Sequence, residues 1–335
     1  MKIVQVLAME GSWGGIENHT FELSKELAKN HEVHLILGLK YQEKMEHVEN
    51  LHYHYFDFAR SRWNIFLLIQ LNNIIKFINP DIVHAQGGKA SKIISFLSSF
   101  FKAPTVATIH GMKSNVRDYL NFNEVIAVSK KAAQKLEKYR SVHIVYNGIQ
   151  KPIITDSLNC KNKNNHFLKA LAIGRLDHVK GFDLLIEAWQ GVDAQLEILG
   201  DGEEFERLAK LIEKFGLQDR IRLIGYIENV HAYIEACDFV IVSSRREGGP
   251  LVVVEALLMH KPIIATDVGM VEDFLPNKYI IDVENISDLN QSIKFLINNY
   301  QVSYSDFEFF FKEAEEKLLI DSMVRETVKV YEECI

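Results

Sequence analysis

"SSRREGGPLVVVEALLMHKPIIATD", residues 243–267, joins two apolar runs through a polar loop and a helix-like segment. The first run, "DFVIVSS", leads into a loop that holds Arg245, Glu247 and the pair Gly248-Gly249. Pro250 follows, and proline suits the first residue of a helix because its missing N–H would have no intrahelical partner there. A strand, a helix and a second strand in this order predict a βαβ unit and therefore a parallel sheet.

The same alternation extends along the whole chain. Apolar β-type runs alternate with amphipathic helical segments, among them residues 16–29 and 63–78. Residues 150–166 interrupt this pattern with Pro, Asp, Ser and Asn, after which it restarts. We therefore predict an α/β fold of two facing, doubly wound, Rossmann-like domains with a central cleft. The first spans residues 1–150, a linker spans 151–166, and the second domain spans 167–320.

Composition is that of an ordinary globular protein. The chain has 335 residues, 47% hydrophobic and 25% charged, which suits about two domains of roughly 150 residues. Its cysteines lack the spacing of a zinc site or a disulfide framework, which favours the reducing cytoplasm. The apolar N-terminal run is predicted to be the first strand. No stretch reaches the about 18 uninterrupted apolar residues that indicate a membrane span.

The charge is distributed unevenly along the chain. The net charge is −7, but residues 1–150 hold 18 Lys+Arg against 13 Asp+Glu, and the remainder holds 20 against 32. The basic first half suits a polyanionic acceptor or an anionic membrane surface. It contains two apolar helical segments flanked by basic residues, 61–79 and 92–104, which predict peripheral membrane association unless both simply cover the first sheet. A nucleic-acid partner is excluded because no basic stripe with interleaved aromatics is present.

Residues just after the predicted strands carry the functional signals, since ligands of doubly wound sheets bind at the carboxyl ends of strands. Gly14 and Gly15 lie between the first strand and a helix, where glycines and a helix N-terminus suit an anion; a tight turn is the alternative. A nicotinamide site is excluded because the G-x-G-x-x-G spacing is absent and no acidic residue ends the second strand. His84 and His110 are expected at strand ends facing the same cleft.

The second half supplies cations and carboxylates at corresponding positions. Arg175 and Lys180 follow a strand and could clamp a diphosphate, unless they are solvated loop charges. The glycines before Pro250 and the helix N-terminus also suit an anion. Glu247 and Glu255 would repel that anion, so we interpret them as acceptors for hydroxyl groups beside it. A sugar nucleotide carries hydroxyl groups on both sides of its diphosphate.

At these residues the chain resembles the retaining glycosyltransferases of family 4, which have the GT-B fold. The resemblance covers nearly the whole length. Its most specific element is the glutamate pair of "EGGPLVVVE", supported in order by "GSWGG", "IHG", "AVSK", "YNGI", "GRLDHVKG" and "ATDVG".

The resemblance implies a role for each matching residue. Arg175 and Lys180 would neutralise the diphosphate, Glu247 would bind the transferred sugar and Glu255 the ribose. The base would lie near Tyr226, and a C-terminal helix at about 321–335 would cross back to the first domain. The implied catalytic residues are His110, Arg175, Lys180 and Glu247. The implied donor-binding residues are Gly14, Gly15, Arg175, Lys180, Tyr226, Glu247, Gly248, Gly249, Pro250, Leu251 and Glu255.

The chain departs from the family pattern at three places. His260 and Met270 replace usual glycines, and we expect both to lie near the donor pocket and to affect which sugar fits. Arg245 and Arg246 form an unusually cationic approach to Glu247.

The predicted activity is retaining transfer of a hexose from a UDP- or GDP-linked donor to an acceptor hydroxyl. The acceptor would be a glycan or lipid-linked glycan in the synthesis of lipopolysaccharide, capsule or glycolipid. The alternatives are a sugar-nucleotide 2-epimerase and a non-catalytic sugar-nucleotide-binding protein. No cofactor and no metal ion are expected, because no two aspartates stand two apart to form an Asp-x-Asp motif. We expect a cytoplasmic protein, peripheral on the inner face of the plasma membrane.

Overall fold

The computed structural model describes residues 1–11, 13–111, 115–152 and 167–335. The chain divides into two compact units. Unit 1 comprises Met1–Gly148 and Leu319–Ile335, and unit 2 comprises Ile149–Leu318. Most of the predicted linker, residues 153–166, lies outside the described residues, as does Cys160.

The described part of unit 1 contains a seven-stranded parallel sheet in the order β3-β2-β1-β4-β5-β6-β7. Helices pack on both faces, so both faces of the central strands are buried and their sequences are almost continuously apolar. The strands are β1 (Lys2–Leu7), β2 (Glu32–Gly38), β3 (Leu51–Phe56), β4 (Ile82–Gln86), β5 (Thr105–Ile109), β6 (Glu124–Ala127) and β7 (His143–Ile144). The helices between them are α1 (Gly15–Leu27), α2 (Ile65–Ile78), α3 (Gly87–Leu97) and α4 (Lys130–Ala133).

Local sequence explains how α2 begins and ends. The Asn64 side chain caps the helix by accepting a hydrogen bond from the Leu67 N–H at 3.1 Å. Asn79 ends it in the left-handed conformation that asparagine tolerates. The inner face of the helix buries Leu67, Leu71 and Ile75 in the core on one side of the sheet.

Unit 2 repeats the architecture. Its described residues form a six-stranded parallel sheet in the order β10-β9-β8-β11-β12-β13. The strands are β8 (Lys169–Ile173), β9 (Gln195–Leu199), β10 (Ile221–Gly225), β11 (Phe239–Val242), β12 (Ile263–Thr266) and β13 (Ile280–Ile281). The helices are α5 (Phe182–Ala188), α6 (Phe205–Lys214), α7 (His231–Ala236), α8 (Leu251–Leu258), α9 (Val271–Phe274), α10 (Ile286–Asn298), α11 (Tyr300–Ser305) and α12 (Glu308–Lys317).

The last helix, α13 (Ile320–Glu332), belongs to unit 1 and packs against α1. Met323, Val330 and Tyr331 of this helix are buried in the core on the α1 side of the sheet. Among the residues that the structure describes, no helix has the length and apolar character needed to cross a membrane.

The predicted parallel α/β fold is confirmed, with local corrections. The apolar run "VHIVYNG", residues 142–148, forms only the two-residue strand His143–Ile144. Pro250 is the N-cap of α8 rather than its first residue, because its ψ of 113° is extended and Leu251 is the first helical residue.

Candidate functional site

The candidate site of unit 2 lies where the strand order reverses. From β8 the chain proceeds through β9 and β10 on one side, and then returns to β11 on the other side of β8. β8 and β11 are adjacent strands, but the chain continues from them toward opposite edges of the sheet. Doubly wound sheets bind ligands beside the loops that follow two such strands. The sequence places Arg175 and Lys180 on the first loop, and Glu247, Gly248 and Gly249 on the second.

Close backbone packing fixes the β8 loop. Gly181 has a φ of 65°, and a Cβ there would lie 2.1 Å from the Ser243 carbonyl oxygen, so this position requires glycine. The Asp177 side chain accepts a hydrogen bond from the Lys180 N–H at 3.2 Å. A Cβ at Gly174 would lie 3.0 Å from the Lys180 Cε atom, so this glycine makes room for the lysine side chain.

Lys180 and Glu247 form an ion pair between the two loops. The Lys180 ammonium donates a hydrogen bond to Glu247 Oε1, and the Ser244 hydroxyl donates to the same oxygen at 3.1 Å. The side chains keep 25% and 18% of their exposed areas. The structure thus brings together two predicted site residues that are 67 positions apart, and each neutralises the other.

Arg175, by contrast, extends toward solvent. Its side chain is 57% exposed, and its Nε atom lies 4.0 Å from Asp177 Oδ2. A screened surface pair of this kind contributes little to stability. Arg175 can therefore move to meet a ligand at little energetic cost.

Arg245 has a structural role that the sequence did not indicate. Its guanidinium donates to both carboxylate oxygens of Asp183, at 2.8 and 2.9 Å, and to the carbonyl oxygen of His178 at 2.8 Å. It also pairs with Glu284 at 3.1 Å. These bonds tie the β11 loop to the β8 loop and to the start of α5. Arg246 is exposed.

The glycine segment of the β11 loop packs against the loop after β12. Gly269 has a φ of 56°, and a Cβ there would lie 2.4 Å from the Gly248 carbonyl oxygen. The segment leads to Pro250 and the first turn of α8, which begins at Leu251. The N–H groups of a helix's first turn lack intrahelical acceptors and carry a partial positive charge. This end of α8 therefore suits an anion or a hydroxyl oxygen.

Glu255 lies about one turn into α8, and burial raises the pKa of its carboxyl group to about 7. The side chain keeps 20% of its exposed area. The His231 Nε2 atom on α7 is 3.9 Å from Glu255 Oε1, too far for a hydrogen bond. Near neutral pH the carboxyl group can accept a hydrogen bond from a hydroxyl group, and can donate one when it is protonated.

The strand order places Tyr226 apart from these residues. It follows β10, which is the edge strand and is separated from β8 by β9. Strands lie about 4.8 Å apart, so the carboxyl end of β10 is roughly 10 Å from that of β8. The side chain is 75% exposed.

Unit 1 has its own reversal of strand order, between β1 and β4. Gly14 is the N-cap of α1 in an extended conformation, and Gly15 is the first helical residue. A Cβ at Gly15 would meet no atom within 4 Å, so the predicted anion position is open. This end of α1 follows the carboxyl end of β1, where the sequence predicted a site for an anion.

His110 is positioned by a buried chain of hydrogen bonds. It directly follows β5, and its Nε2 atom lies 2.7 Å from Gln86 Oε1. Gln86 donates to Gln5 at 3.0 Å, and Gln5 donates to the Tyr331 hydroxyl at 2.8 Å. Tyr331 Oη lies 2.7 Å from His84 Nδ1. The C-terminal helix thus reaches His110 through three side chains.

The expectation for His84 is wrong. This residue lies inside β4 rather than at a strand end, and it is fully buried. Burial lowers the pKa of the ring to about 3, so it is neutral and bonded to Tyr331 and, at 2.7 Å, to Thr108. The polar residues Gln5 and Gln86 in otherwise apolar strands were the signal of this network, and sequence analysis missed them.

Two of the departures from the family pattern, His260 and Met270, were expected to lie near the donor pocket. His260 lies at the C-terminal end of α8, opposite Pro250, with a φ of 54°. Glycine is common at this position because it adopts positive φ without strain. The His260 ring instead stacks on Phe311, with ring centroids 5.0 Å apart. Met270 follows Gly269 and is fully buried, so it can act on the loop only through packing.

Comparison with known proteins agrees with this architecture. Residues 155–308 match the family described as "Glycosyl transferases group 1", and residues 13–151 match "Glycosyltransferase Family 4". An uncharacterized glycosyltransferase of Methanocaldococcus jannaschii is 28% identical over 96% of this chain and 95% of its own.

A second relative has a named substrate. The Campylobacter jejuni N-acetylgalactosamine-N,N'-diacetylbacillosaminyl-diphospho-undecaprenol 4-alpha-N-acetylgalactosaminyltransferase is 26% identical over 66% of this chain and 58% of its own. Among solved structures, Anabaena Alr3699/HepE in complex with UDP superposes with a TM-score of 0.85. It is 18% identical, and the match covers 99% of this chain and 100% of that one. The same protein has been solved with UDP-glucose. The chain therefore belongs to the group 1 glycosyltransferases, and its two parallel-sheet units have the GT-B fold.

Proposed function

We propose that this glycosyltransferase moves a hexose from a UDP-linked donor to an acceptor hydroxyl, with retention of anomeric configuration. The observation that carries the proposal is the Lys180–Glu247 pair, held beside the N-terminus of α8 where the strand order reverses. Retention is implied by the family resemblance. UDP is favoured over GDP by the likeness to the UDP-bound Anabaena protein.

In this proposal the donor exchanges partners with the ion pair. The diphosphate takes the Lys180 ammonium, and Arg175 swings from its exposed position to the same phosphates. Glu247, released from Lys180, accepts hydrogen bonds from hydroxyl groups of the hexose. Glu255 binds the ribose, and the backbone of Gly248, Gly249 and Leu251 contributes at the N-terminus of α8.

Catalysis would then consist mainly of electrostatic stabilisation. When the bond between the sugar and the diphosphate breaks, negative charge develops on the leaving nucleotide. With the donor bound, Lys180, Arg175 and the end of α8 all donate to that charge, and removing one such donor typically costs about 10²–10³ in rate. The balancing charge comes from side chains, so the reaction needs no metal ion. His110, held by Gln86, is proposed to take part in transfer.

We infer a lipid-linked glycan as the acceptor and an anionic membrane as the place of reaction. The Campylobacter relative acts on a diphospho-undecaprenol-linked sugar. In unit 1, the outer face of α2 and the neighbouring end of α3 expose a set of large apolar side chains. This aromatic patch consists of Trp63, Ile65, Phe66, Ile69, Phe77, Phe96 and Phe100.

Part of the aromatic patch is in direct ring contact, and cations lie on the same segments. Trp63 contacts Phe96 edge to face at 5.8 Å, and Phe96 lies 6.1 Å from Phe100. Phe77 is 85% exposed. The exposed cations Arg62, Lys76 and Lys102 lie on the same segments. Apolar side chains with adjacent positive charge favour binding to anionic lipid.

The proposed activity is tested by incubating the protein with radiolabelled UDP- and GDP-sugars, with and without a lipid-linked acceptor. We expect transfer from a UDP-hexose, and slow hydrolysis of the donor when the acceptor is omitted. Formation of an epimer at C2 would instead identify the 2-epimerase alternative. Donor binding without turnover on any acceptor would support the non-catalytic alternative.

A further inference from the structure

A second group of chemically active side chains lies in unit 1, away from the strand ends that carry Gly14 and His110. Glu32 and His34 are two positions apart on β2, and His52 and His54 are two positions apart on the edge strand β3. His34 and His52 are directly paired in the parallel register. Because alternate residues of a strand point to the same face, all four side chains share one face of the sheet. They lie at the amino ends of these strands.

The distances within this histidine cluster are short. His34 Nε2 is 3.0 Å from Glu32 Oε1, and His34 Nδ1 is 2.9 Å from His54 Nε2. The rings of His34 and His52 have centroids 4.8 Å apart. One ligand atom each from Glu32, His34 and His52 can be chosen so that all three lie within 4.8 Å of one another.

This geometry suits a shared metal ion. Nitrogen and oxygen ligands of Zn²⁺ lie at about 2.0–2.2 Å from the ion. In the tetrahedral geometry that Zn²⁺ prefers, two such ligands are roughly 3.4 Å apart, by the same bond lengths. The 3.0 Å between His34 Nε2 and Glu32 Oε1 is within about 0.5 Å of that separation. The His52 ligand atom lies within 4.8 Å of the other two, and its side chain is exposed, so the ring must turn toward them to share an ion.

His54 completes the arrangement as a partner of His34. Metal-binding histidines almost always donate their second N–H to another group, which fixes the ring and its tautomer. With an ion on Nε2, His34 carries its proton on Nδ1 and donates it to His54 Nε2 across the existing 2.9 Å. Both imidazoles remain neutral. Lys2 lies 3.1 Å from Glu32 and must release it, which lowers the affinity but does not block the position.

We propose that Glu32, His34 and His52 form a binding site for a divalent transition metal ion, of which Zn²⁺ is the representative. Imidazole nitrogens prefer Zn²⁺, Cu²⁺ or Ni²⁺, whereas Mg²⁺ and Ca²⁺ prefer all-oxygen sites. Glu32 and His52 are exposed, so water completes the coordination. The ion links the edge strand β3 to β2 at the amino ends of the strands. It therefore stabilises unit 1 and takes no part in sugar transfer.

The test is calorimetric titration of the full, tag-free protein with ZnCl₂ after treatment with a chelator and dialysis. His52→Ala removes an exposed ligand and Glu32→Gln removes the carboxylate, so neither disturbs the core. His47→Ala is the matched control, since His47 is an exposed histidine of unit 1 outside the cluster. Melting curves with and without ZnCl₂, and a titration with MgCl₂, complete the set.

We expect wild type and His47→Ala to bind Zn²⁺ equally well, and His52→Ala and Glu32→Gln to bind it at least about tenfold more weakly. Zn²⁺ should raise the melting temperature of wild type and leave that of His52→Ala unchanged. MgCl₂ should give no binding heat. Absence of Zn²⁺ binding by wild type, or equal affinity of wild type and His52→Ala, would overturn the proposal. Sugar transfer is not measured, so failure of this site is distinct from failure of the proposed activity.

Discussion

The Lys180 ammonium donates a hydrogen bond to the Glu247 carboxylate at the reversal point of the unit 2 sheet. Within the pair the two charges compensate each other. A bound sugar nucleotide would need them separately, the Lys180 ammonium for its diphosphate and the Glu247 carboxylate for the hydroxyl groups of its sugar. The two side chains keep 25% and 18% of their exposed areas, so the pair is accessible to solvent and to an incoming ligand. Its position beside the end of α8 therefore suits an exchange of partners with a bound donor.

Sugar transfer should persist in EDTA. The proposed compensation for the diphosphate comes from Arg175, Lys180 and the end of α8, and none of these is removed by a chelator. Initial rates of transfer with and without EDTA, and after addition of MnCl₂, measure this. Complete loss of turnover in EDTA that manganese restores would show that a metal ion stabilises the leaving group.

The stability of the protein should depend on pH through Glu255. Burial raises the pKa of this carboxyl group from 4.5 to about 7 in the folded state. Between these values the folded protein binds a proton that the unfolded chain has lost, so the free energy of unfolding falls as pH rises through this window. The loss is nearly complete by about pH 8 and amounts to at most about 3.4 kcal/mol.

Glu255→Gln isolates that contribution, because glutamine stays neutral. Relative to wild type, the variant should gain stability progressively from pH 5 to pH 7 and then keep a constant advantage at pH 8. Urea unfolding at each pH measures the difference, and Glu308→Gln, on an exposed glutamate of α12, serves as the control. A difference that does not change with pH would mean that the carboxyl group titrates normally.

Tyr331→Phe should destabilise unit 1. The hydroxyl group serves two buried partners, Gln5 and His84. The change removes the acceptor of the Gln5 amide and leaves His84 Nδ1 only Gln86 Nε2, at 3.5 Å. A buried polar group without a partner costs about 1–3 kcal/mol. The melting temperature should fall clearly, whereas Tyr139→Phe, at a 69% exposed position, should leave it unchanged. Equal melting temperatures for the two variants would show that the buried chain does not support the fold.

The aromatic patch should bind anionic vesicles. Wild type should float with vesicles that contain phosphatidylglycerol at low salt, and binding should weaken as salt screens the cations. Phe66→Ser together with Phe77→Ser should abolish flotation, and Phe309→Ser, an exposed phenylalanine of unit 2, should not. If wild type does not float even at low salt, α2 and α3 only cover the sheet and do not bind a membrane.

The fold was predictable because its signal is local. Strands buried on both faces are mostly apolar, as "KIVQVL" and "FVIV" are, and such runs can be recognised in the sequence. Strand ends were less certain. His84 was misplaced because β4 continues for two more residues, to Gln86, before its helix begins.

The candidate site was only partly predictable. Sequence analysis identified Lys180 and Glu247 separately, but their pairing depends on β11 lying next to β8, which follows from strand order and not from spacing. The contact between the β8 and β11 loops also brings Arg245 to Asp183, which lies 62 residues earlier in the chain. Because His260 replaces a usual glycine, sequence analysis interpreted it as a residue that affects which sugar fits. The positive φ of His260 shows instead that this position ends a helix.

The central claim is that Lys180 binds the diphosphate and Glu247 the sugar, and titration of UDP into two variants tests it most directly. Hydrogen bonds to charged groups contribute about 1.5–3 kcal/mol, so Lys180→Met should weaken UDP binding by roughly tenfold to a hundredfold. Glu247→Gln should bind UDP at least as tightly as wild type, because it releases the ammonium, yet transfer should fall by a similar factor. Equal affinities of the two variants for UDP would contradict the account.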